Sequence, residues 1–255
     1  MAGEVVTKRP GLNQTKSQGW RVTWKDDGTD YPRILDNFRS GGLTGRSLST
    51  GSPHRRVFRV ETEGRAFVVK HDLEVDSRFE KKIWQWLAGS PYSRLIKFTN
   101  RAMARGCPVA QNVYLVAERL EHGLCREAWL IAEFVEGTSF IEEYDANGEP
   151  VKYSNEKPWV TAMGETLAVL HDYGLASNDF HPGNFILTPQ GLKIIDLAVD
   201  GPLIICQIND AVTMRHFYQV TPPMRSRARR ILFALMRYRR RFKKWFRRIR
   251  GRQNG

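Results

Sequence analysis

The sequence predicts an α+β fold in two lobes, an antiparallel-sheet N-lobe and a helical C-lobe, followed by a basic amphipathic C-terminal helix. Short apolar runs of strand length, separated by turn residues, recur through residues 56–133. Beyond residue 158 the apolar spacing becomes that of a helix, with a loop and a hairpin behind it. Of the 40 Lys and Arg residues, 15 lie in 211–255, a stretch without Asp or Glu.

The same counts bound the function. A formal net charge of +13 suggests a nucleic-acid binder, yet residues 1–210 hold 25 basic against 27 acidic residues, so the basic character belongs to the tail. A chain of 255 residues, 41% of them hydrophobic, can bury a core, which excludes disorder as a whole. Cys107, Cys125 and Cys206 show no CxxC or His-paired metal spacing, and an odd, sparse set fits reduced buried thiols in a cytoplasmic protein. Residues 1–19 hold no signal-peptide apolar core and no run of eighteen apolar residues occurs, so neither export nor a membrane span is expected.

Taken in order, residues 1–19 are polar and aperiodic and are expected to form a disordered arm. Residues 19–37, with Trp20, Trp24 and Tyr31 around the Lys25-Asp26-Asp27-Gly28 turn, suit a short hairpin or a strand-turn-helix entry. Residues 39–53 are rich in Gly and Ser. Their amides can cradle phosphate oxygens, since glycine permits close approach and positive φ; a plain flexible loop is the equal alternative.

The runs 56–61 and 65–70, joined by Thr62-Glu63-Gly64, form a β-hairpin that ends on Lys70. A lone strand-end lysine is usually a solvated surface residue. Its weight comes from the helix expected after an Asp76 or Ser77 cap, with Phe79, Ile83, Trp84, Trp86 and Leu87 at roughly helical spacing and Glu80 in its first turns. A strand lysine paired with a glutamate of the next helix is how kinase-like folds orient a phosphate-binding ammonium; Glu74 is the rival partner. The runs 113–118 and 128–133 complete a lobe of five strands and one helix. The extended segment 134–137 then offers backbone donors and acceptors that suit an adenine edge.

Pro158 fits a first helical turn, Val160, Met163, Leu167 and Leu170 follow at 3-4-3 spacing, and Gly174 stands where a C′ glycine belongs. This helix leads into residues 171–197, HDYGLASNDFHPGNFILTPQGLKIIDL. Asp179 and Asn184 flank a loop with Pro182 and Gly183. The apolar run 185–187, the turn Thr188-Pro189-Gln190-Gly191 and a second run ending in Asp196 form a hairpin. Three oxygen-bearing side chains so placed suit phosphoryl transfer with a hard cation: one base for the acceptor hydroxyl and two oxygen ligands for Mg²⁺.

The run Asp179-Phe180-His181-Pro182-Gly183-Asn184, followed by Ile194-Ile195-Asp196, resembles the Asp-x-His-x-x-Asn and metal-Asp motifs of kinase-fold enzymes acting on small molecules and sugars. Together with the Val68-Val69-Lys70 strand and the Phe134-Val135-Glu136-Gly137 linker, it is most similar to the lipopolysaccharide core heptose(II) kinases. The resemblance implies a bilobal protein-kinase-like fold and an ATP- and Mg²⁺-dependent phosphorylation of an inner-core heptose at the cytoplasmic face of a Gram-negative inner membrane. It implies Asp179 as the catalytic base, Asn184 and Asp196 as Mg²⁺ ligands, and Lys70 on the α- and β-phosphates with Glu80 orienting it. The backbone of Glu133 and Val135 would meet adenine, and His181 would stabilise the loop. The corresponding divisions are an arm over 1–19, an N-lobe over 20–133, a C-lobe over 134–222 and a tail over 223–255. Asn178 stands where protein kinases carry Arg, Leu197-Ala198 replaces Phe-Gly, and no Ala-Pro-Glu follows, which argues against activation-loop control and a protein substrate.

In the tail, Ile231, Leu235, Tyr238, Phe242, Trp245 and Ile249 step 4-3-4-3-4 among cations. The first half of this stripe closes the C-lobe or faces outward. The second half, with Trp245, Phe246, Lys243-Lys244 and Arg247-Arg248, suits an anionic membrane surface; RNA is the rival ligand, disfavoured by the near-neutral body. The partners expected are thus a lipopolysaccharide core acceptor and the inner-membrane surface, with no protein partner. Two other functions stay open: a phosphotransferase acting on a soluble alcohol, and a non-catalytic membrane- or RNA-binding module.

Overall fold

The computed structural model describes residues 4–5, 10–48, 54–73, 79–139, 157–177 and 180–238. β1 (Glu4–Val5), β2 (Leu12–Ser17) and β3 (Trp20–Lys25) are followed by α1 (Tyr31–Arg39), then by β4 (Gly45–Ser47), β5 (Arg55–Thr62) and β6 (Arg65–Asp72). α2 (Phe79–Ala88) and α3 (Pro91–Ala104) precede β7 (Val113–Glu121) and β8 (Leu124–Glu133). These strands form one sheet in the order β1-β2-β3-β7-β8-β6-β5-β4, antiparallel at every pairing. After β9 (Thr138–Ser139) come α4 (Lys157–Asp172), β10 (Phe185–Thr188), β11 (Gly191–Ile194) and α5 (Leu203–Tyr218). β11, β10 and β9 make a small second sheet, and the chain is helical again over 227–238. This is the α+β arrangement of an antiparallel sheet and a helical part that the sequence predicts.

Three expectations change. The arm over 1–19 contains β2, whose six residues pair with all of β3. A polar run hides this strand, but its two-residue turn has the signature of a tight hairpin: Gln18 and Gly19 have φ of 48° and 81°, the sign pattern that matches the twist of paired strands. The lobe holds eight strands in its sheet among the described residues, against the five expected. It is flanked by α1, α2 and α3, against the one helix expected. α3 lacks a clean apolar period because its buried face mixes Leu95, Ile96 and Ala102 with Ser93, Arg94 and Thr99. Thr99 donates to Leu95 O at 2.8 Å, and Arg94 donates through one guanidinium nitrogen to Gly201 O at 3.2 Å, with the guanidinium 5.6 Å from the centroid of the Trp84 ring.

Each face of the large sheet buries a core. On one side α1, capped by Asp30 accepting from Arg33 N at 3.1 Å, presents Tyr31, Ile34 and Leu35 at helical spacing to Val60, Phe67, Val69, Leu115 and Ile131. On the other side Leu95 and Ile96 of α3 and Val116 and Leu130 of the sheet join Val160, Met163, Leu167 and Leu170 of α4, and Phe185 and Ile194 of the β10–β11 hairpin. That second core is continuous across the expected division at 133/134, so the helical part leans on the sheet and shares its core. The pleat alternates side chains, and with Phe67 and Val69 packed toward α1, Lys70 faces the helical part.

Two contacts fasten these layers. Glu118 of β7, fully buried, accepts from Arg21 at 2.7 Å and from Ser93 Oγ at 2.5 Å, joining β3 and α3 through one carboxylate. Gly137, with φ of 152°, lies where a Cβ would stand 2.2 Å from Leu187 O, next to the Thr138–Leu187 pairing of β9 with β10. Gly137→Ala is therefore expected to destabilise the protein by about 3 kcal/mol, through backbone strain and a clash that no side-chain motion relieves. Urea unfolding checks this; a loss below about 0.5 kcal/mol would show that the linker does not need glycine.

Candidate active site

The site forms where Lys70, at a strand position facing the helical part, meets the open end of the β10–β11 hairpin. Lys70 Nζ lies 2.7 Å from Asp196 Oδ1. Two residues past β11, Asp196 adopts φ of 55°, a left-handed conformation that aspartate tolerates better than most residues. The backbone there is held: Asp196 N donates to Gln111 Oε1 at 3.2 Å, and Ile195 N donates to Asn184 O at 2.8 Å. Burial would raise the Asp196 carboxyl, but the charge and hydrogen bond of Lys70, with Arg55 beyond, outweigh it and hold the group below the usual carboxylate range.

Asn184 ends the Pro182–Asn184 turn. His181 starts that turn, its Nδ1 accepting from Gly183 N at 3.3 Å and its carbonyl from Asn184 N at 3.0 Å. Because Phe185 pairs with Ile194 and Ile195 closes on Asn184, Asn184 and Asp196 sit at the same end of the hairpin. Among the described residues no group of three His, Cys, Asp or Glu side chains comes together; those at this end of the hairpin offer a cation one carboxylate and one amide oxygen, to which phosphate and water would add. That donor set fits Mg²⁺, which keeps water and phosphate in its shell, and does not fit zinc.

Asp179 and Asn178 lie outside the described residues, but the chain on either side of them is fixed. Ahead, Ser177 N donates to Asp210 Oδ2 at 2.9 Å, and the same buried carboxylate contacts His171 Nε2 at 3.0 Å. Behind, Phe180 packs edge-on against Phe185 and Tyr218. Gln207, a turn before Asp210 on α5, donates to His171 O and Leu175 O. None of these anchors was expected. An aspartate inside the apolar run of α5, next to Ile208, Ala211 and Val212, was the readable signal for Asp210.

The remaining expected residues fare differently. Glu80 lies on α2, but its side chain, like Glu74 and the Asp76 and Ser77 caps, is outside the described residues, as are 49–53 of the glycine-rich segment; the described partner of Lys70 is Asp196. Glu133, expected to meet adenine through its backbone, has that backbone partly engaged. Its N–H already donates to Asn112 O at 2.9 Å and its carbonyl accepts from Gln111 Nε2 at 2.8 Å, because β8 continues through it; only the second lone pair of the carbonyl remains. Its side chain pairs with Lys193 at 2.6 Å. Val135 lies in the extended segment between β8 and β9. Gln111, 4% exposed, thus touches both the end of β8 and Asp196, and nothing in the sequence marked it.

Asp210→Ala strands the Ser177 amide and the His171 ring in a dry site and is expected to cost about 3 kcal/mol, whereas Asp210→Asn, which keeps one acceptor, costs about half that. Urea unfolding together with hydrogen exchange at the Ser177 amide checks it; equal losses for the two variants would contradict the assigned role.

A family model described as lipopolysaccharide core biosynthesis protein (WaaY) matches residues 12–252. An Escherichia coli protein named lipopolysaccharide core heptose(II) kinase WaaY is 25% identical over 187 residues, 73% of this chain and 77% of the relative. A protein of the same name from Escherichia coli strain K12 is 21% identical over 240 residues, 94% and 98% of the two chains. A solved structure described as WaaP in complex with acyl carrier protein aligns at a TM-score of 0.48 with 16% identity, covering 91% of this chain and 94% of that one. The chain belongs to the lipopolysaccharide core biosynthesis protein (WaaY) family.

Proposed function

We propose that this protein is an ATP-dependent kinase that phosphorylates a heptose of the lipopolysaccharide inner core, working at the cytoplasmic face of the inner membrane. The observation that carries the reading is the Lys70–Asp196 contact of 2.7 Å at the hairpin end shared with Asn184, in a family whose named members are heptose kinases. Lys70 grips the α- and β-phosphates, with Glu80 as its orienting partner; Asn184 and Asp196 would hold Mg²⁺, which would supply positive charge against the transferring phosphoryl group. Asp179 accepts the proton of the sugar hydroxyl as it attacks. Adenine meets the backbone of Val135 and the remaining carbonyl lone pair of Glu133.

The tail supports work at a surface. Among the described residues no helix is long and apolar enough to cross a membrane. Within 227–238 the side chains of Ile231, Leu235 and Tyr238 are 53, 60 and 71% exposed, while Arg229, Leu232, Phe233 and Met236 form the half-buried face. This described half of the apolar stripe therefore points outward and does not close the helical lobe. Phe242, Trp245, Phe246 and Ile249, and the cationic pairs around them, lie outside the described residues.

Incubation with ATP, Mg²⁺ and dephosphorylated core acceptor is expected to add one phosphate by mass spectrometry, and no gain would overturn the reading. Asp179→Asn is expected to lose roughly 10²- to 10⁴-fold in rate, as for removal of a general base. For the tail, the double variant Ile231→Ser, Leu235→Ser is expected to bind phosphatidylglycerol vesicles at least about tenfold more weakly by co-sedimentation. Unchanged binding would remove the stripe from the membrane contact.

A further inference from the structure

A cavity lies on the opposite face of the large sheet from Lys70, between β3 and α1. It encloses about 220 Å³. Trp20, Val22 and Trp24 alternate onto this face of β3, and the β2–β3 register sets Ser17 beside Trp20 and Thr15 beside Val22. From α1, Leu35, Asp36 and Arg39 face them across the cavity. Arg39 is held by aromatic rings, its guanidinium 5.1 Å from the centroid of Trp20 and 5.6 Å from that of Trp129.

The lining selects among ligand classes by charge and by hydrogen-bond type. Asp30, which also caps α1, and Asp36 oppose an anion; Arg39 opposes a cation and already occupies the Trp20 face that a cation would seek. A purely apolar ligand would draw nothing from Asp36 and Arg39, which line the exposed edge of the cavity, so a ligand that also hydrogen-bonds that edge binds better. What remains is a neutral molecule with an apolar face for indole and an edge of groups that both donate and accept. Hydroxyls do both, to the carboxylate of Asp36 and from the guanidinium of Arg39, with Ser17 able to take either role. The C–H face of a pyranose against Trp24 completes the match.

We infer that this cavity binds a neutral pyranose unit of a saccharide, at a site separate from the Lys70–Asp196 centre. The inference rests on the lining chemistry and not on the phosphotransfer reading, so each can fail without the other. Being opposite the candidate active site, such a subsite would hold a different part of an oligosaccharide, or a different saccharide, from any acceptor at Asp196.

The test is an NMR titration of the whole ¹⁵N-labelled chain, following the indole N–H signals of Trp20 and Trp24. One arm uses methyl hexosides, a second uses core oligosaccharide freed of lipid, and inorganic phosphate and ethanolamine serve as charged controls. Saturable shifts at both indoles with either saccharide are expected, and the arm that saturates at lower concentration identifies the source. Asp36→Ala and Arg39→Gln, both at exposed positions of α1, are expected to weaken saccharide binding about tenfold with the other indole signals in place, as for loss of a hydrogen bond to a charged group. Absence of shifts in both saccharide arms, equal shifts with phosphate or ethanolamine, or undiminished binding by both variants would overturn the proposal. ATP titration of the same variants, read at the Lys70 side of the sheet, is expected to be unchanged.

Discussion

The contact between Lys70 and Asp196 depends on nearly everything else in the fold. An ammonium on a strand and a carboxylate past a hairpin, 126 positions apart, meet at 2.7 Å only if two independent pieces of backbone are fixed. On the sheet side the pleat does it: Phe67 and Val69 are locked into the core under α1, which turns Lys70 the other way. On the hairpin side the left-handed φ of Asp196 does it, stabilised by Gln111 at its N–H and by the closure of Ile195 on Asn184. The shared core then sets the spacing between the two. The Asp196 side chain keeps 40% of its surface exposed, so water screens the pair and its contribution to stability is modest. Its consequence is electrostatic: a carboxylate kept ionised beside a fixed cation is the preparation that the proposed metal and polyphosphate site requires.

Gln111 makes that preparation mechanical. Its carboxamide donates to the carbonyl of Glu133 and accepts from the amide of Asp196, while Gln111 N donates to Ile194 O and Ile194 N donates to Val109 O. The segment 109–111 therefore runs beside β11 and ties the hairpin to the end of β8. Opening the two parts about residues 134–137 would break all of these hydrogen bonds in a largely buried place, where each lost partner leaves an unsatisfied group. The end of the sheet and Asp196 should move as one body, with any closure motion carried by elements outside this tie.

How much of this was legible in the sequence follows from which residues reveal themselves by period. The β5–β6 hairpin, β7, β8 and α4 have apolar alternation or helical spacing with turn residues at their ends, and the Asp-x-His-x-x-Asn and Asp196 motifs mark the hairpin. β2 escaped because five of its six residues are polar, leaving only the Gln18-Gly19 turn as a clue. α3 escaped because Ser93, Arg94 and Thr99 are buried through specific hydrogen bonds, which hydropathy reads as exposure. The use of the Glu133 backbone by Asn112 and Gln111 depends on contacts across 21 and 22 positions, which no local pattern encodes. For the tail, the 4-3-4 stripe was visible, but its direction was not: helical spacing shows that residues share a face, never which way that face turns.

That direction matters because of how the helix is rooted. Arg225 pairs with Asp172 at 3.1 Å, and Arg229 reaches Asp172 and the carbonyl of His171, so two cations of the tail sit on the C-terminal end of α4, where helix carbonyls favour positive charge. His171 also pairs with Asp210, whose carboxylate holds Ser177 immediately before the Asn178-Asp179 pair. The outward stripe of Ile231, Leu235 and Tyr238 is thereby connected through Arg229, His171 and Asp210 to the loop that carries the proposed base. On the proposed reading, a surface that engages the stripe also orients this end of α4 and, through Asp210, the chain that leads into the loop. On that reading a near-neutral body with a basic helix has two separable parts, charge that draws the chain to a surface and an apolar stripe that chooses which side of the protein faces it.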